Sequence, residues 1–427
     1  MKKLLAKVAQ ASRLWSSAGR PSGSPLLLAT LTILALLLPG VAQAAPVQFG
    51  TSGDAYNLGA RNLVRTSGGV LYAVVLNATA GQVEAWKKSG GSWSNVGTNQ
   101  TAYASANNCA CAIDGNGYID VAYYSSPTAL SFVQFNTATN TWGTPSTIAA
   151  ITSGGTYYCC AIAVDFRNCS HIAFNSYNGT VSALYYINNT GGSWQSVVTV
   201  SSSSLYVIFP DIAIDTMNST GHRYNTPQIT AIMNNGNLSF FVGGNGSANN
   251  SNNNPSSFTS ITTGVATGNN PPSIIIDSSG TTTVILGTNY TYKTEGYYCA
   301  GSTAWTSGFS TLEDVQNNTV TNCAAAAVSG TTRYCFAFYT STNGIYSISS
   351  TTYGTWGTPT EIEGNPPCSA TGTISVLWSY ANMQPYSTYG IDYLFTVGTG
   401  AGNLYYDNLG TMITVPPHNG NLLQMFR

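Results

Sequence analysis

Ala163-Val164-Asp165, Leu184-Tyr185-Tyr186, Gly192-Ser193-Trp194 and Val197-Val198-Thr199-Val200 follow one another within residues 163–200, and they hold the fold in miniature. An apolar run ends in a turn residue, an alternating aromatic strand follows, a small polar turn delivers a tryptophan, and a last strand closes the unit. The turn recurs as Gly91-Ser92-Trp93, Asn140-Thr141-Trp142, Thr303-Ala304-Trp305 and Gly354-Thr355-Trp356. Neighbouring copies stand 49, 52 and 51 residues apart, and the longer gap after Trp194 leaves room for Phe258 behind Pro255-Ser256-Ser257. A period near 50 with strand-like filling marks repeated β-units, none of which can bury its own face alone.

A second ladder has the same period. Ala112-Ile113-Asp114, Ala163-Val164-Asp165, Ala213-Ile214-Asp215, Ile275-Ile276-Asp277 and Ala327-Val328-Ser329 are short apolar runs ending in a turn residue. Asn62-Leu63-Val64 precedes them and Ile374-Ser375-Val376-Leu377 follows, which makes seven units. Each reads as four short strands, including aromatic ones such as Asp120-Val121-Ala122-Tyr123-Tyr124. The pattern predicts an all-β chain, a seven-bladed β-propeller of four-stranded blades. The continuous apolar runs belong innermost, near residues 62–65, 111–114, 161–164, 211–214, 273–276, 325–328 and 374–377, because both their faces are covered. The tryptophans are expected at blade peripheries, substantially buried. The recurring aspartates read as turn caps, since a short acceptor side chain can bond the amides of its own turn.

Residues 1–45 differ in kind. Lys2, Lys3, Lys7, Arg13 and Arg20 precede an apolar stretch from Pro25 to Leu38, then Pro39-Gly40 and Ala42-Gln43-Ala44. A basic region, an apolar core and a small-x-small site read as a secretory signal. The alternative is an N-terminal membrane anchor, for which about 21 residues through Ala45 suffice. Either reading exports residues 46–415, the propeller, and 416–427, a C-terminal tail, to a secreted or extracellular-surface location. Without residues 1–45, nine basic residues face 15 acidic ones, a net charge of −6. Nucleic acid is thereby excluded as a partner, because phosphate binding needs a basic stripe.

Nine cysteines in an exported chain suggest disulfides. Cys109, Cys111, Cys159, Cys160, Cys323 and Cys368 lie just before or at the start of an inner run. Bonds between Cys109 or Cys111 and Cys159 or Cys160, between Cys323 and Cys368, and between Cys299 and Cys335 would join adjacent blades. Zinc on four of these thiolates is the weaker reading in an oxidising compartment. No metal or other cofactor is expected.

The unit of an apolar run ending in Asp, Val-Ala-Tyr-Tyr, Leu-Tyr-Tyr and Gly-Gly-Ser-Trp resembles the sialidase-type, or BNR, propeller repeat over about residues 57–415. The resemblance implies the propeller fold and leaves activity open. The hallmark Ser/Thr-x-Asp-x-Gly-x-Thr-Trp turn is half present, since its Asp position falls on Lys88, Thr137, Asn189, Ala300 and Thr351. The sialidase type also implies an arginine triad, and Arg61, Arg65, Arg167, Arg223, Arg333 and Arg427 offer no three on one face. Two carboxylates placed for glycoside hydrolysis are not evident either, although Asp211 at the start of an inner run is the best placed.

Departures from the repeat are where function is grafted. The long fourth unit brings His222, Arg223 and Tyr224 together, and the seventh carries a tyrosine-rich insertion with Tyr380, Tyr386 and Tyr389. Tyrosine offers contact area and a hydroxyl at low entropic cost. The sequence therefore reads as an exported, non-catalytic recognition or structural module on a cell or virion surface, binding glycan or protein through its loops. A divergent glycan hydrolase and a self-assembling surface or filament subunit are the alternatives.

Overall fold

The computed structural model describes residues 46–50, 56–58, 61–151, 158–177, 181–203, 207–233, 237–244, 253–266, 271–288, 293–300, 311–316, 320–327, 332–339, 344–363, 374–376, 391–397 and 403–409. These residues form seven antiparallel sheets, the blades of a propeller. Blade 3 shows the pattern: Cys160–Val164, Ser170–Tyr177, Ser182–Asn188 and Val198–Ser203 pair in sequence order. The inner strands are Leu63–Arg65, Cys109–Ile113, Cys160–Val164, Val207–Ile214, Ser273–Ile276, Val320–Ala327 and Ile374–Val376. Each overlaps the run expected from the sequence. Cys109–Ile113 and Cys160–Val164 are buried at every position, as strands covered on both faces must be.

The core lies between blades rather than within them. One apolar cluster joins Val74 of blade 1 to Val121 of blade 2 and Ile172 of blade 3. Another joins Leu184 of blade 3 to Ile229 of blade 4, and a third joins Phe336 of blade 6 to Tyr393 of blade 7 and Leu71 of blade 1. The rim aromatics reach across the same boundaries. Trp194 meets Phe132 of blade 2 edge-on at 4.9 Å, and Phe258, standing where a tryptophan is missing, meets Tyr186 of blade 3 at 5.1 Å. Trp93, Trp142, Trp194 and Trp356 are substantially buried, each covered on its inward side and partly open at the rim. Trp305 lies outside the described residues.

The ring is closed by the two ends of the chain. Val47–Gln48 pairs with Asn403–Leu409 as the outer strand of blade 7, completing a sheet begun by Ile374–Val376 and Ile391–Val397. Phe49 then stacks on Trp93 of blade 1 at 4.5 Å, and Trp93 meets Tyr406 of blade 7 at 5.2 Å. Beneath them Arg65 of blade 1 is ion-paired with Asp392 of blade 7, both buried, and Tyr406 Oη donates to Asp392 Oδ1 at 2.6 Å. The Lys88 ammonium sits 3.7 Å from the centre of the Tyr406 ring.

The aspartate turns are capped as the sequence implies. Asp114 Oδ1 accepts the amides of Asn116 (2.9 Å) and Tyr118 (2.7 Å), and Asp165 Oδ1 those of Arg167 and Cys169 (both 2.8 Å). Asp277 Oδ1 takes Ser279 and Thr281 in the same way, at 2.9 and 3.2 Å. These turns and the tryptophan turns lie at one end of the propeller, called here the turn face, because in a four-stranded meander the first and third connections share an end.

Two stability measurements test this account. Trp194→Ala should cost ~1–2 kcal/mol in denaturant unfolding, below the ~3–5 kcal/mol of a fully enclosed aromatic. Arg65→Met should cost more, ~3–5 kcal/mol, because it strands the buried Asp392 charge at the closing boundary.

Candidate functional site

The central channel is the usual place to look in a propeller, and here it is stoppered. Arg61, just before the inner strand of blade 1, reaches across the axis to Asp211 of blade 4, with Nε 3.0 Å from Oδ1. Its Nη2 also donates to the Ile274 carbonyl of blade 5 at 2.8 Å. Asp211 Oδ2 accepts the Ile274 amide at 2.9 Å. Burial pushes the Asp211 carboxyl up and the Arg61 charge opposes it. The cavity above the pair, lined by Val64, Ala112, Ile162, Val164 and Val376, holds about 10 Å³, no more than a single water needs.

Two groups of aromatic side chains mark the turn face instead. Phe166 and Arg167 occupy the capped turn after the inner strand of blade 3, and Tyr224 lies in the corresponding, longer loop of blade 4. Phe166 is 48% exposed, and its ring lies 4.9 Å from that of Tyr224 at an interplanar angle of 40°. The exposed Arg167 guanidinium stands 5.2 Å from the Phe166 ring centre. Burial raises the Tyr224 hydroxyl pKa, with the Arg167 charge pulling it back. Asn168, at φ 64°, turns its Oδ1 to accept the Gly115 amide at 2.7 Å, which locks the turn to blade 2.

Of the expected trio, only Tyr224 reaches the surface. His222 is buried with Nδ1 2.8 Å from the Asp215 carboxylate, packed where Gly280 of blade 5 has no side chain. Any Cβ at Gly280 would stand 2.6 Å from the Gly221 carbonyl, and its φ of 77° also favours glycine. Arg223 is fully buried and points its Nη2 at Cys299 Sγ, 3.7 Å away. These two residues brace the loop that presents Tyr224. Tyr380, Tyr386 and Tyr389 lie outside the described residues.

The second group packs over a buried cation between blades 5 and 6. Arg333 is fully buried, with its guanidinium 4.7 Å from the Tyr353 ring, 5.0 Å from Trp356 and 5.9 Å from Tyr298. Tyr353 donates to Asp277 Oδ2, and burial together with the Asp277 charge pushes its hydroxyl up to about 12. The described arginines are thus dispersed: Arg61 and Arg65 of blade 1 have separate partners, Arg223 and Arg333 are buried in blades 4 and 6, and no triad forms among them.

The cysteine expectations need correcting. Cys109, Cys111, Cys159, Cys160, Cys299 and Cys335 are buried, and none of them forms a disulfide in this structure. Cys109 and Cys160 open their inner strands and Cys111 lies within one, and their side chains turn toward neighbouring strands instead of toward each other. Cys109 Sγ faces the Val74 carbonyl at 3.7 Å and Cys160 Sγ the Ala122 carbonyl at 3.4 Å. Burial pushes the Cys109 and Cys159 thiols up to about 12, which keeps them protonated. Cys368 lies outside the described residues, and of Cys323 only the strand is described. No three His, Cys, Asp or Glu side chains are grouped to hold a metal among the described residues.

Carboxyl groups are drawn together at one blade boundary. Tyr393 Oη donates to Glu363 Oε1 at 2.8 Å and lies 3.4 Å from Asp407 Oδ2, with both acids buried between blades 6 and 7. Burial first, then the bond to Asp407, pushes the Glu363 carboxyl up to about 8. Asp120, held by Ser170 and Gln134 between blades 2 and 3, is pushed by burial to about 7. Glu363, Asp407 and Asp120 are all buried at blade boundaries.

No protein-family model matches the chain, and no curated protein does. Solved structures do. A polysaccharide lyase, ulvan lyase, solved bound to -[GlcA(1-4)Rha3S]-, is 11% identical over 85% of this chain and 96% of its own, with a TM-score of 0.54. A fucose-specific lectin from Aleuria aurantia is 12% identical over 71% of this chain and 96% of its own, at a TM-score of 0.45. At such identities the ulvan lyase likeness is one of fold.

The raised acids set a pH dependence. A carboxyl with a folded pKa above its unfolded value binds a proton more tightly in the fold, so its stabilisation is present at low pH and lost as pH rises through the folded value. For Glu363 that window runs from its ordinary 4.5 to about 8. Melting temperature should therefore fall between pH of roughly 5 and 9, and Glu363→Gln should flatten the fall. An unchanged slope in the variant would show that Glu363 is not protonated in the fold.

Proposed function

We propose that the protein is an exported carbohydrate-recognition propeller that holds a saccharide against the turn face, at the Phe166–Tyr224 ledge. The carrying observation is the exposed Phe166 ring set beside Tyr224 on a braced loop. The half-exposed Phe166 ring beside Tyr224 suits the apolar face of a pyranose, and the Tyr224 hydroxyl suits its hydroxyls. Buried His222 and Asp215, with Asn168 tying the Phe166 turn to blade 2, hold the rings in place before the ligand arrives, which lowers the ordering cost of binding. The fold likeness to ulvan lyase, whose structure holds a saccharide, supports a glycan over a protein partner. The likeness to the sialidase-type repeat is kept as one of architecture. Export follows from the leader read in residues 1–45.

A glycan array run beside a hydrolysis and lyase screen on the purified protein tests this reading. Binding of at least one saccharide without turnover is expected, and Phe166→Ala or Tyr224→Ala should weaken it about tenfold or more, some 1.4 kcal/mol or above. Both side chains are at the surface, so the melting temperature should hold. Failure of every glycan to bind, or binding indifferent to both substitutions, would sink the proposal.

A further inference from the structure

Resting on that reading, we infer that the saccharide is anionic, and that Arg167 reads its carboxylate or sulfate group while Phe166 and Tyr224 take the ring. Arg167 is the exposed cation of the ledge, and among the described residues it makes no ion pair. Its nearest acid in the chain, Asp165, is not available to it. The Asp165 Oδ1 atom accepts the Arg167 and Cys169 amides, its Oδ2 faces His171 Nε2 at 3.6 Å, and the side chain is buried. Asp215, under Tyr224, is likewise buried and bonded to His222. The other described arginines of the propeller are all buried. An exposed guanidinium beside an open aromatic face offers several donors in one plane, which fits the paired oxygens of a carboxylate or sulfate.

Overall charge does not explain such a ligand, because the exported chain carries −6 and repels anions at long range. Selectivity must then be short-ranged and carried by this one side chain. An acidic peptide could also meet a guanidinium, but it would make no use of the half-exposed Phe166 face.

The test compares polymers that differ only in charge: dextran sulfate with dextran, and polygalacturonate with its full methyl ester, beside an array of neutral and anionic glycans. The wild-type protein should bind an anionic member at least tenfold more tightly than its uncharged twin. That preference should shrink about tenfold in Arg167→Gln, persist in part in Arg167→Lys, and weaken with salt. Phe166→Ala should lower affinity for the charged polymer as well. The two pairs separate carboxylate from sulfate recognition. Equal binding of charged and neutral twins, array hits confined to neutral glycans, or a charge preference untouched by Arg167→Gln would overturn the inference while leaving the glycan reading intact. Loss through Arg167 with no effect of Phe166→Ala, together with capture of acidic peptides, would overturn it in favour of a peptide. An array with no hits at all would instead remove the glycan reading itself.

Discussion

A blade of this protein is a sheet with two apolar faces, and no such sheet can stand at the end of a row. Every apolar cluster bridges blades, and even the rim aromatics do so, Trp194 on Phe132 and Phe258 on Tyr186. The only arrangement that leaves no face bare is a closed ring, which makes the boundary between blades 1 and 7 the one on which the others depend. It is also the most elaborately fastened: a strand from the N-terminal side, the Phe49–Trp93 stack, the Arg65–Asp392 pair and Lys88 over Tyr406 all act there. Those fastenings are polar or aromatic and directional, so they fix register where apolar burial alone would allow the blades to slide.

The same requirement shapes where charge is placed. With so few charged residues, most of those described serve the interior: Arg61 with Asp211 across the axis, Arg65 with Asp392 at the closure, Arg333 under three rings, and a series of aspartates bonded to turn amides. A buried charge without such partners would cost several kcal/mol. The consequence for function is direct. Among the described residues, those spent in this way are held in structural bonds, and the Arg61–Asp211 pair with the Ile274 carbonyl spans the axis.

Much of the architecture was legible in the sequence because it repeats. A period near 50 exposes inner strands, capped aspartates and even the substitution of Phe258 for a tryptophan, since each unit can be checked against its neighbours. What does not repeat was hidden. Val47–Gln48 is two residues long, and only the missing outer strand of unit seven hints at its place. The cysteines misled because position along the chain does not show which way a side chain turns: Cys109 and Cys160 open inner strands as read, but their thiols face the carbonyls of neighbouring strands. The ledge was missed for a related reason: Phe166 and Tyr224 belong to turns of different blades, and only the ring geometry brings them within 4.9 Å. Its one readable signal was an aromatic and an arginine following a capping aspartate, Asp165-Phe166-Arg167, where the sister turns carry Gly115-Asn116, Thr216-Met217 and Ser278-Ser279.

That departure bears on why the turn face, rather than the rim, is the place to look for recognition. A capped turn gains nothing from an exposed Phe166, because Asp165 holds it through backbone amides that any residue supplies. Leaving apolar area in water forfeits about 25 cal/mol for each Å² that could have been buried. Trp93 and Trp194 recover that area by packing on the preceding blade, whereas Phe166 keeps nearly half of its surface open. Around it the loop of blade 4 is stiffened by His222 and Arg223, which spend a histidine and an arginine on holding Tyr224 still. Rigid support beneath a half-exposed Phe166 is what the proposed recognition site would require and what stability alone does not.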